Sequence, residues 1–395
     1  MTDVGRIVVE GQGTFVRVRR PAYWVYIGLV GYGLFSMGRM MSSAIETLSV
    51  SMWIAAMLNA VLAAVFIVLL DRMDLFEREP AAVRAAAFLW GALAATSLSL
   101  VTNSSLLSLI TKIFGAKFAT EWGAALAGPT NEEWFKLLGV VLLVLIVKEH
   151  FNRSIDGLIY GALVGLGFQV VENMIYAINY AMANPNSDIA GSVSVTLMRI
   201  LVAGPWSHPV YTGVAGLGIA YLVTTKGKRS VARRYGTALV LYLAAWGAHM
   251  LWNAPLPTWL PDAVNVLMVY GKGIGILVFF MALYRYAATY EWHWFINIMA
   301  DESEDIITSE EIGSMRTLGT RKRARKLADY SYGPHGDRLV ARMQRAQLSL
   351  GEALARAQRA GGDPDKALDV VAARKNVLGI RAKLRDASRF AIRQG

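Results

Sequence analysis

Two adjacent carboxylates and a lysine open one of the apolar stretches of this chain. Residues 130–136 read T-N-E-E-W-F-K, and the apolar run 137–147 follows directly. Charged groups at membrane depth are costly, and a chain that keeps them usually does so for a function. Glu132 and Lys136 are spaced i,i+4 and could form an ion pair. Glu133 beside them adds a second carboxylate, and such a pair next to a lysine is typical of a general base.

Three further apolar segments carry polar groups, which are Glu172 in the first, His208 in the second, and His249 with Asn253 in the third. A helix rises 1.5 Å per residue, so depth can be counted from the charged residues that end each segment. This count places all four residues and Glu132 at roughly 22–28 Å from the cytoplasmic side. His249 and Asn253 also share a helix face. The sequence therefore predicts one polar layer toward the extracytoplasmic leaflet.

The first chemistry open to this layer is hydrolysis by an activated water. The chain has no cysteine, which excludes a thiol nucleophile and a thiolate metal site. No spacing indicates a Ser-His-Asp triad. Glu132 or Glu133 could act as base on a water held by the histidines, with Asn253 or a histidine stabilising the oxyanion.

The second route uses a metal. His208, His249 and a carboxylate, for which Glu172 is the preferred choice, could hold zinc through three protein ligands and leave a position for water. The adjacent pair Glu132 and Glu133 would then supply the base. The spacing of the residues does not separate the two routes.

Composition places these groups in a membrane protein. The 395 residues are 55% hydrophobic and only 17% charged, and several apolar runs are long enough to cross a bilayer. The net charge of +11 is explained by basic cytoplasmic loops, so nucleic acid is not expected as a partner. We therefore predict an all-α, polytopic membrane helix bundle in the cell membrane.

Eight spans satisfy the positive-inside rule with both termini in the cytoplasm, because the alternate loops 43–49, 183–194 and 254–263 contain no Lys or Arg. The predicted domains are a cytoplasmic segment 1–22, a transmembrane domain 23–290 and a cytoplasmic helical tail 291–395. The predicted spans are 23–41, 52–70, 85–101, 131–148, 155–182, 195–224 with a break at Gly204-Pro205, 235–253 and 264–284.

The stretch 104–130 fits this count least well. Its apolar part, 106–114, is short and is interrupted by Lys112 and Lys117, so it could be re-entrant, interfacial or half of a span. We predict that Gly128-Pro129-Thr130 breaks the chain and that Thr130 or Asn131 caps a new helix.

The tail differs from the rest of the chain in its charge pattern. It starts acidic, continues with a basic cluster at 321–326, and shows two helical patterns near 337–360 and 364–391 that are split by G-G-D-P. This pattern predicts a helical hairpin. The basic cluster could contact anionic lipid or could be a solvated face.

Four motifs in order carry a resemblance to a known family. They are E-E-W-F-K at 132–136, F-Q-V-V-E-N at 168–173, S-H-P-V-Y-T-G at 207–213 and H-M-L-W-N at 249–253. Together they resemble the PrsW family of intramembrane proteases, which is distantly related to CAAX prenyl endopeptidases and bacteriocin-processing proteases. The resemblance covers about residues 20–290. The proline after His208 departs from the family pattern.

The resemblance implies an intramembrane endopeptidase that cuts membrane proteins near the extracytoplasmic face, as in site-1 cleavage of an anti-sigma factor. It implies Glu132 and Glu133 as the catalytic pair, with Glu172, His208 and His249 completing the centre. The resemblance implies a metalloprotease, whereas the CAAX-type relatives resemble enzymes that activate a water with a glutamate, and the sequence does not separate the two.

Two other functions compete with proteolysis. A proton- or metal-coupled transporter would also use broken helices with Glu and His at membrane depth. No internal repeat is evident, however, and the polar groups cluster toward one leaflet. A non-catalytic scaffold that docks partners through the tail is the third possibility.

Arg199 is a competing structural partner, because it could form an ion pair with any of the carboxylates in the polar layer.

Overall fold

A computed structural model of the chain describes residues 15–76, 79–202, 204–333, 335–359, 361 and 363–394. Within these ranges the chain is all-helical and contains no β-strand, which confirms the all-α part of the predicted fold. The predicted segment 1–22 lies largely outside the described residues. The helices are α1 Pro21–Thr47, α2 Ser49–Met73, α3 Ala81–Phe114, α4 Ala116–Ile146, α5 Ser154–Ala183, α6 Asp188–Leu201, α7 Ser207–Thr224, α8 Val231–Asn253, α9 Asp262–Met299, α10 Ser309–Ser314, α11 Leu318–Tyr332, α12 Gly336–Arg359 and α13 Leu368–Gln394.

The chain divides into two compact units. One contains the chain up to Leu70 together with Glu79–Arg285, and the other contains 71–78 with the chain from Tyr286 onward. We refer to the first as the membrane unit and to the second as the tail unit. The predicted domain bounds, 23–290 and 291–395, stay a prediction beside this division.

Four of the described helices are long and apolar enough to cross a membrane, namely α2, α3, α5 and α9. Helix α5 is the most buried of them, with 83% of its apolar window inside the protein, whereas α2 has 22% buried. Helix α5 packs against α3, α4, α6 and α7, so it forms the centre of the membrane unit.

The predicted break at 128–130 is wrong. Helix α4 begins at Ala116 and continues through Pro129 to Ile146, and the chain reverses instead at Gly115, whose φ of 86° favours glycine. Thr130 and Asn131 lie inside the helix and do not cap it. A proline inside a helix leaves one carbonyl without its usual donor, and helices at membrane depth tolerate this where neighbours supply partners.

The stretch 104–114, which the sequence left undecided, is the end of α3. Helix α3 continues without interruption from Ala81 to Phe114 and contains a π-helical turn at Trp90–Ala95. The Trp90 indole in this turn donates to the carbonyl of Phe135 in α4 over 2.9 Å. Helices α3 and α4 therefore form a long antiparallel hairpin.

Helices α5 and α7 approach closely because glycine lies at each contact. A Cβ added to Gly161 would lie 2.3 Å from the carbonyl oxygen of Thr212, and one added to Gly165 would lie 2.2 Å from that of His208. Atoms cannot approach so closely, so both positions require glycine. This contact fixes the first turn of α7 beside α5.

The predicted break at Gly204-Pro205 is present. Helix α6 ends at Leu201 and α7 begins at Ser207, with Gly204 at a φ of 78° between them. The side chain of Gln169 in α5 donates to the carbonyl of Pro205 over 2.9 Å. An interrupted backbone at membrane depth needs such partners because no water is available there.

The tail unit has its own hydrophobic core, and more elements contribute side chains to it than the two helices of the predicted hairpin. Phe76 from the segment after α2 packs in this core with Phe295 and Met299 from the end of α9. Side chains from α12 and α13, including Leu350 and Val377, complete it.

We expect Gly161→Ala to lower the free energy of unfolding by about 1–3 kcal/mol, because overpacking at a tight contact forces the backbones apart. Thermal unfolding of the detergent-solubilised protein measures this. Gly236→Ala on α8 is the control, since no atom lies within 4 Å of its added Cβ. Equal stability of the two variants would contradict the close contact of α5 and α7.

Candidate active site

Helix α4 positions both carboxylates and the lysine of the E-E-W-F-K motif. The Lys136 ammonium donates to Glu133 Oε1 over 2.7 Å and to Glu132 Oε2 over 3.4 Å. Lys136 and Glu133 are both completely buried. The ammonium also lies 4.0 Å from the centroid of the Phe168 ring. A buried charge needs partners, and here the lysine supplies the cation for two carboxylates.

The hydrogen bonds of His208 define its tautomer. Its Nδ1 lies 2.8 Å from Lys136 Nζ, and its Nε2 lies 3.0 Å from Glu172 Oε2. An ammonium can only donate, so Nδ1 accepts and the ring proton is on Nε2. His208 thus connects the lysine of α4 with the glutamate of α5.

His249 lies against the same carboxylates from α8. Its Nδ1 is 2.9 Å from Glu133 Oε1, and its Nε2 is 3.9 Å from Glu132 Oε2. Since the carboxylate accepts, Nδ1 donates, which leaves Nε2 as the ring atom that can bind a metal. The Tyr211 ring stacks on the imidazole with 4.9 Å between centroids. The two histidine rings are 5.1 Å apart.

Three of these side chains could hold a metal ion. Glu132, His208 and His249 are buried, and each offers one ligand atom within 4.8 Å of the others. The sequence preferred Glu172 as the carboxylate of this set. In the structure the group of possible ligand atoms contains Glu132, whereas Glu172 bonds to Nε2 of His208 and lines the same cavity.

Glu172 belongs to a chain of buried and half-buried hydrogen bonds. Its Oε2 accepts from Arg199 Nη2 of α6 as well as from His208. Arg199 Nε donates to Asn173 Oδ1 over 2.6 Å, and Asn173 Nδ2 donates to Asn59 Oδ1 of α2 over 2.8 Å. The arginine that the sequence suggested as a structural partner is therefore in place, and the chain of bonds connects α2 with the active centre.

Asn253, the last residue of α8, lies at the edge of the site. Its Nδ2 donates to the carbonyl of Ala124 in α4 over 3.3 Å. The amide lines the same cavity as Glu132 and His249. All seven side chains predicted for the site thus lie in one region of the membrane unit.

A cavity of about 550 Å³ opens onto this cluster. Glu132 lines it, whereas Glu133 and Lys136 lie behind its wall. Small residues of α4, among them Gly123 and Ala124, form one side of the cavity. Its volume is in the range that binds a short peptide segment or a drug-sized molecule.

Sequence reasoning missed one side of the cavity, which α3 forms. Asn103 Nδ2 donates to Glu132 Oε1 over 3.0 Å, and Asn103 Oδ1 accepts from Asn131 over 3.2 Å. The run T-N-S-S at 102–105 resembles a polar loop in sequence, which hid the contribution of α3. The spacing of Ser99 and Asn103 at i,i+4 could have indicated a polar helix face.

A buried carboxylate with two imidazoles, at the wall of a cavity in a helical membrane unit, is typical of an intramembrane metal-dependent hydrolase. A family model described as PrsW family intramembrane metalloprotease matches residues 79–285, just over half of the 395 residues. The chain belongs to this family, which confirms the resemblance seen in the four motifs.

One curated relative is similar over a short segment. A protein named Protease PrsW from Clostridioides difficile (strain 630) is 42% identical over 45 residues, which make up 11% of this chain and 18% of that relative. The match thus covers less than a fifth of that protein's length. No solved structure matches the chain.

We expect Lys136→Met to lower the free energy of unfolding by about 3–5 kcal/mol, because it leaves two buried carboxylates without their cation. Thermal unfolding of the purified protein measures this, and the exposed Lys112→Met is the control. The double variant Lys136→Met/Glu133→Gln should recover part of the loss. Full additivity of the two changes would show that the pair does not interact.

Proposed function

We propose that the protein is an intramembrane endopeptidase that hydrolyses peptide bonds of membrane-protein substrates near the extracytoplasmic leaflet. The observation that carries this proposal is the group Glu132, His208 and His249, whose ligand atoms lie within 4.8 Å of one another at the cavity. The family match supports the same reaction. It also disfavours the transporter that the sequence left as an alternative.

The donor set fits a divalent cation such as zinc. Glu132, His208 and His249 would be the three protein ligands, and Glu172 and Glu133 hold the other ring nitrogen of each histidine. His208 would bind through Nδ1, so a metal there would replace the hydrogen bond from Lys136. Carboxylates in this position commonly orient metal-binding histidines. When bound, zinc supplies Lewis-acid chemistry by polarising a carbonyl oxygen and by increasing the acidity of water.

The protein's own groups have distinct tasks in this proposal. Glu132 borders the cavity and, in the route without metal, accepts the proton of the attacking water. Glu133 has His249, Lys136 and Thr212 as partners and therefore holds the centre together. The Asn253 amide at the cavity wall donates to the oxyanion that develops on the scissile carbonyl.

We propose eight membrane crossings, in which α6 and α7 together form one interrupted span. The described helices α1 to α9 can be arranged in this way, with the hairpin turn at Gly115 on the extracytoplasmic side. The distribution of Lys and Arg then leaves both termini in the cytoplasm of a multi-pass cell-membrane protein. By family resemblance, the substrate class includes anti-sigma factors of the membrane.

Cleavage and metal content test the proposal together. The purified protein is reconstituted with single-span leucine-alanine peptides in which a short Gly/Ser/Asn segment interrupts the helix at successive depths. We expect cleavage at the depth of the polar layer, lowered at least about 100-fold in Glu132→Gln and Glu133→Gln, as for loss of a general base and its support. Mass spectrometry locates the cut.

The metal is measured on the same preparations by elemental analysis. About one zinc per chain, lost in His249→Ala together with activity, would establish the metal route. Activity without metal that resists chelators would establish the glutamate route. His293→Ala, on an exposed face of α9, is the matched histidine control. Tight metal binding without hydrolysis of any peptide would contradict the proposal.

We expect Arg199→Gln to lower kcat about 10- to 100-fold with little change in KM, because Glu172 then loses the guanidinium that orients it toward His208. Arg199→Lys should recover part of kcat, since it retains a cation. Arg39→Gln, an exposed arginine of α1, is the control. A parallel rise in KM, or equal kcat in the Gln and Lys variants, would indicate a merely structural role.

A further inference from the structure

Helix α11 of the tail unit exposes a basic and partly apolar face. Lys322, Lys326 and Tyr330 follow one another at i,i+4 spacing, and Arg323 and Leu327 form the adjacent row. All five are exposed, with Tyr330 at 88% and Leu327 at 55% of their free areas. We refer to these five residues as the basic face of α11. Three cations thus alternate with two large apolar side chains on one exposed face of the helix.

The remaining basic residues of the cluster have structural partners. Arg321 is buried, its Nε donates to the carbonyl of Met315 over 2.9 Å, and its guanidinium lies 5.1 Å from the centroid of the Phe76 ring. Arg325 Nε donates to Gln344 Oε1 of α12 over 2.7 Å. These bonds orient α11 so that its basic face is directed away from the core of the tail unit.

A second contact connects α11 with the segment that follows α2. Arg321 Nη1 donates to the carbonyl of Leu75 over 2.7 Å. Leu75 follows the end of α2 by two residues, and α3 begins six residues later at Ala81. Both helices are long and apolar enough to cross a membrane. The start of α11 is therefore attached to a short connection that emerges from the bilayer.

We propose that the basic face of α11 binds the anionic headgroups of the lipid bilayer from which α2 and α3 emerge. Lysine and arginine near such a surface each contribute about a fivefold factor in binding, and leucine and tyrosine insert at the headgroup level. Cations interleaved with apolar side chains fit this layer better than they fit an acidic protein or a nucleic acid. The tail lies beyond residues 79–285, so the surface is additional to the family's catalytic unit.

The absence of cysteine from the chain makes a direct test practical. The full-length protein with Tyr330→Cys, labelled with an environment-sensitive fluorophore, is placed in nanodiscs of phosphatidylcholine with or without phosphatidylglycerol. We expect a blue-shifted emission, and quenching by a lipid-attached quencher, only with the anionic lipid. Both should disappear when the salt is raised from about 0.15 M to about 1 M, where the Debye length falls to about 3 Å.

Variants separate this surface from a general effect of charge. Adding Lys322→Gln, Arg323→Gln and Lys326→Gln should lower the ratio of lipid-bound to free α11 roughly a hundredfold. The control adds Arg338→Gln, Arg342→Gln and Arg345→Gln, which removes three exposed cations from α12. Unchanged melting of the tail shows that each variant is folded.

Three outcomes would overturn the proposal. The first is no response of the fluorophore at position 330 in either lipid, and the second is an equal response in both. The third is an equal loss of response in the α11 and α12 triple variants. A label at Leu368→Cys, a side chain 87% exposed on α13, reports whether the whole tail or α11 alone meets the lipid. None of these readings depends on proteolysis, so the failure of either proposal leaves the other standing.

Discussion

The hydrogen bonds of one buried ammonium hold the membrane unit's centre together. Lys136 donates to Glu133 and Glu132 and meets His208, so a single cation joins groups of α4 and α7. In a low-dielectric interior, two carboxylates one residue apart would repel each other strongly without it. His249 then reaches Glu133 from α8. The packing of α4, α7 and α8 thus depends on the balance between the Lys136 cation and the two carboxylates. This balance explains why Lys136 is as completely buried as Glu133.

The close contact of α5 and α7 makes this balance geometrically possible. Gly161 and Gly165 let α5 touch the backbone of α7, and His208 follows directly on the break before α7. A larger separation would take the His208 imidazole away from either Lys136 or Glu172, because it bonds to both at about hydrogen-bond length. The interrupted backbone is thus placed by the same contact that places the histidine.

Sequence reasoning could predict which residues share a depth, but it could not predict their rotation about each helix axis. Counting the helix rise brought together Glu132, Glu172, His208 and His249, and the structure places them in one region. The count could not show that Glu132 approaches both histidines while Glu172 is shared between His208 and Arg199. The helical fold was visible in the apolar runs. The continuation of α4 through Pro129 was not visible in the sequence, because it depends on tertiary partners rather than on local preference.

The choice between the two hydrolytic routes depends on where Lys136 donates. His208 Nδ1 has one lone pair, and the ammonium takes it at 2.8 Å. A metal ion at that nitrogen would displace this hydrogen bond and leave Lys136 to the carboxylates alone, where Glu133 Oε1 already lies at 2.7 Å. In the glutamate route the bond stays, and Lys136 fixes the imidazole beside Glu132. In the metal route, Lys136 is therefore a neighbour of the metal site. In the glutamate route, Lys136 is itself the cation of the centre, and the same side chains surround it.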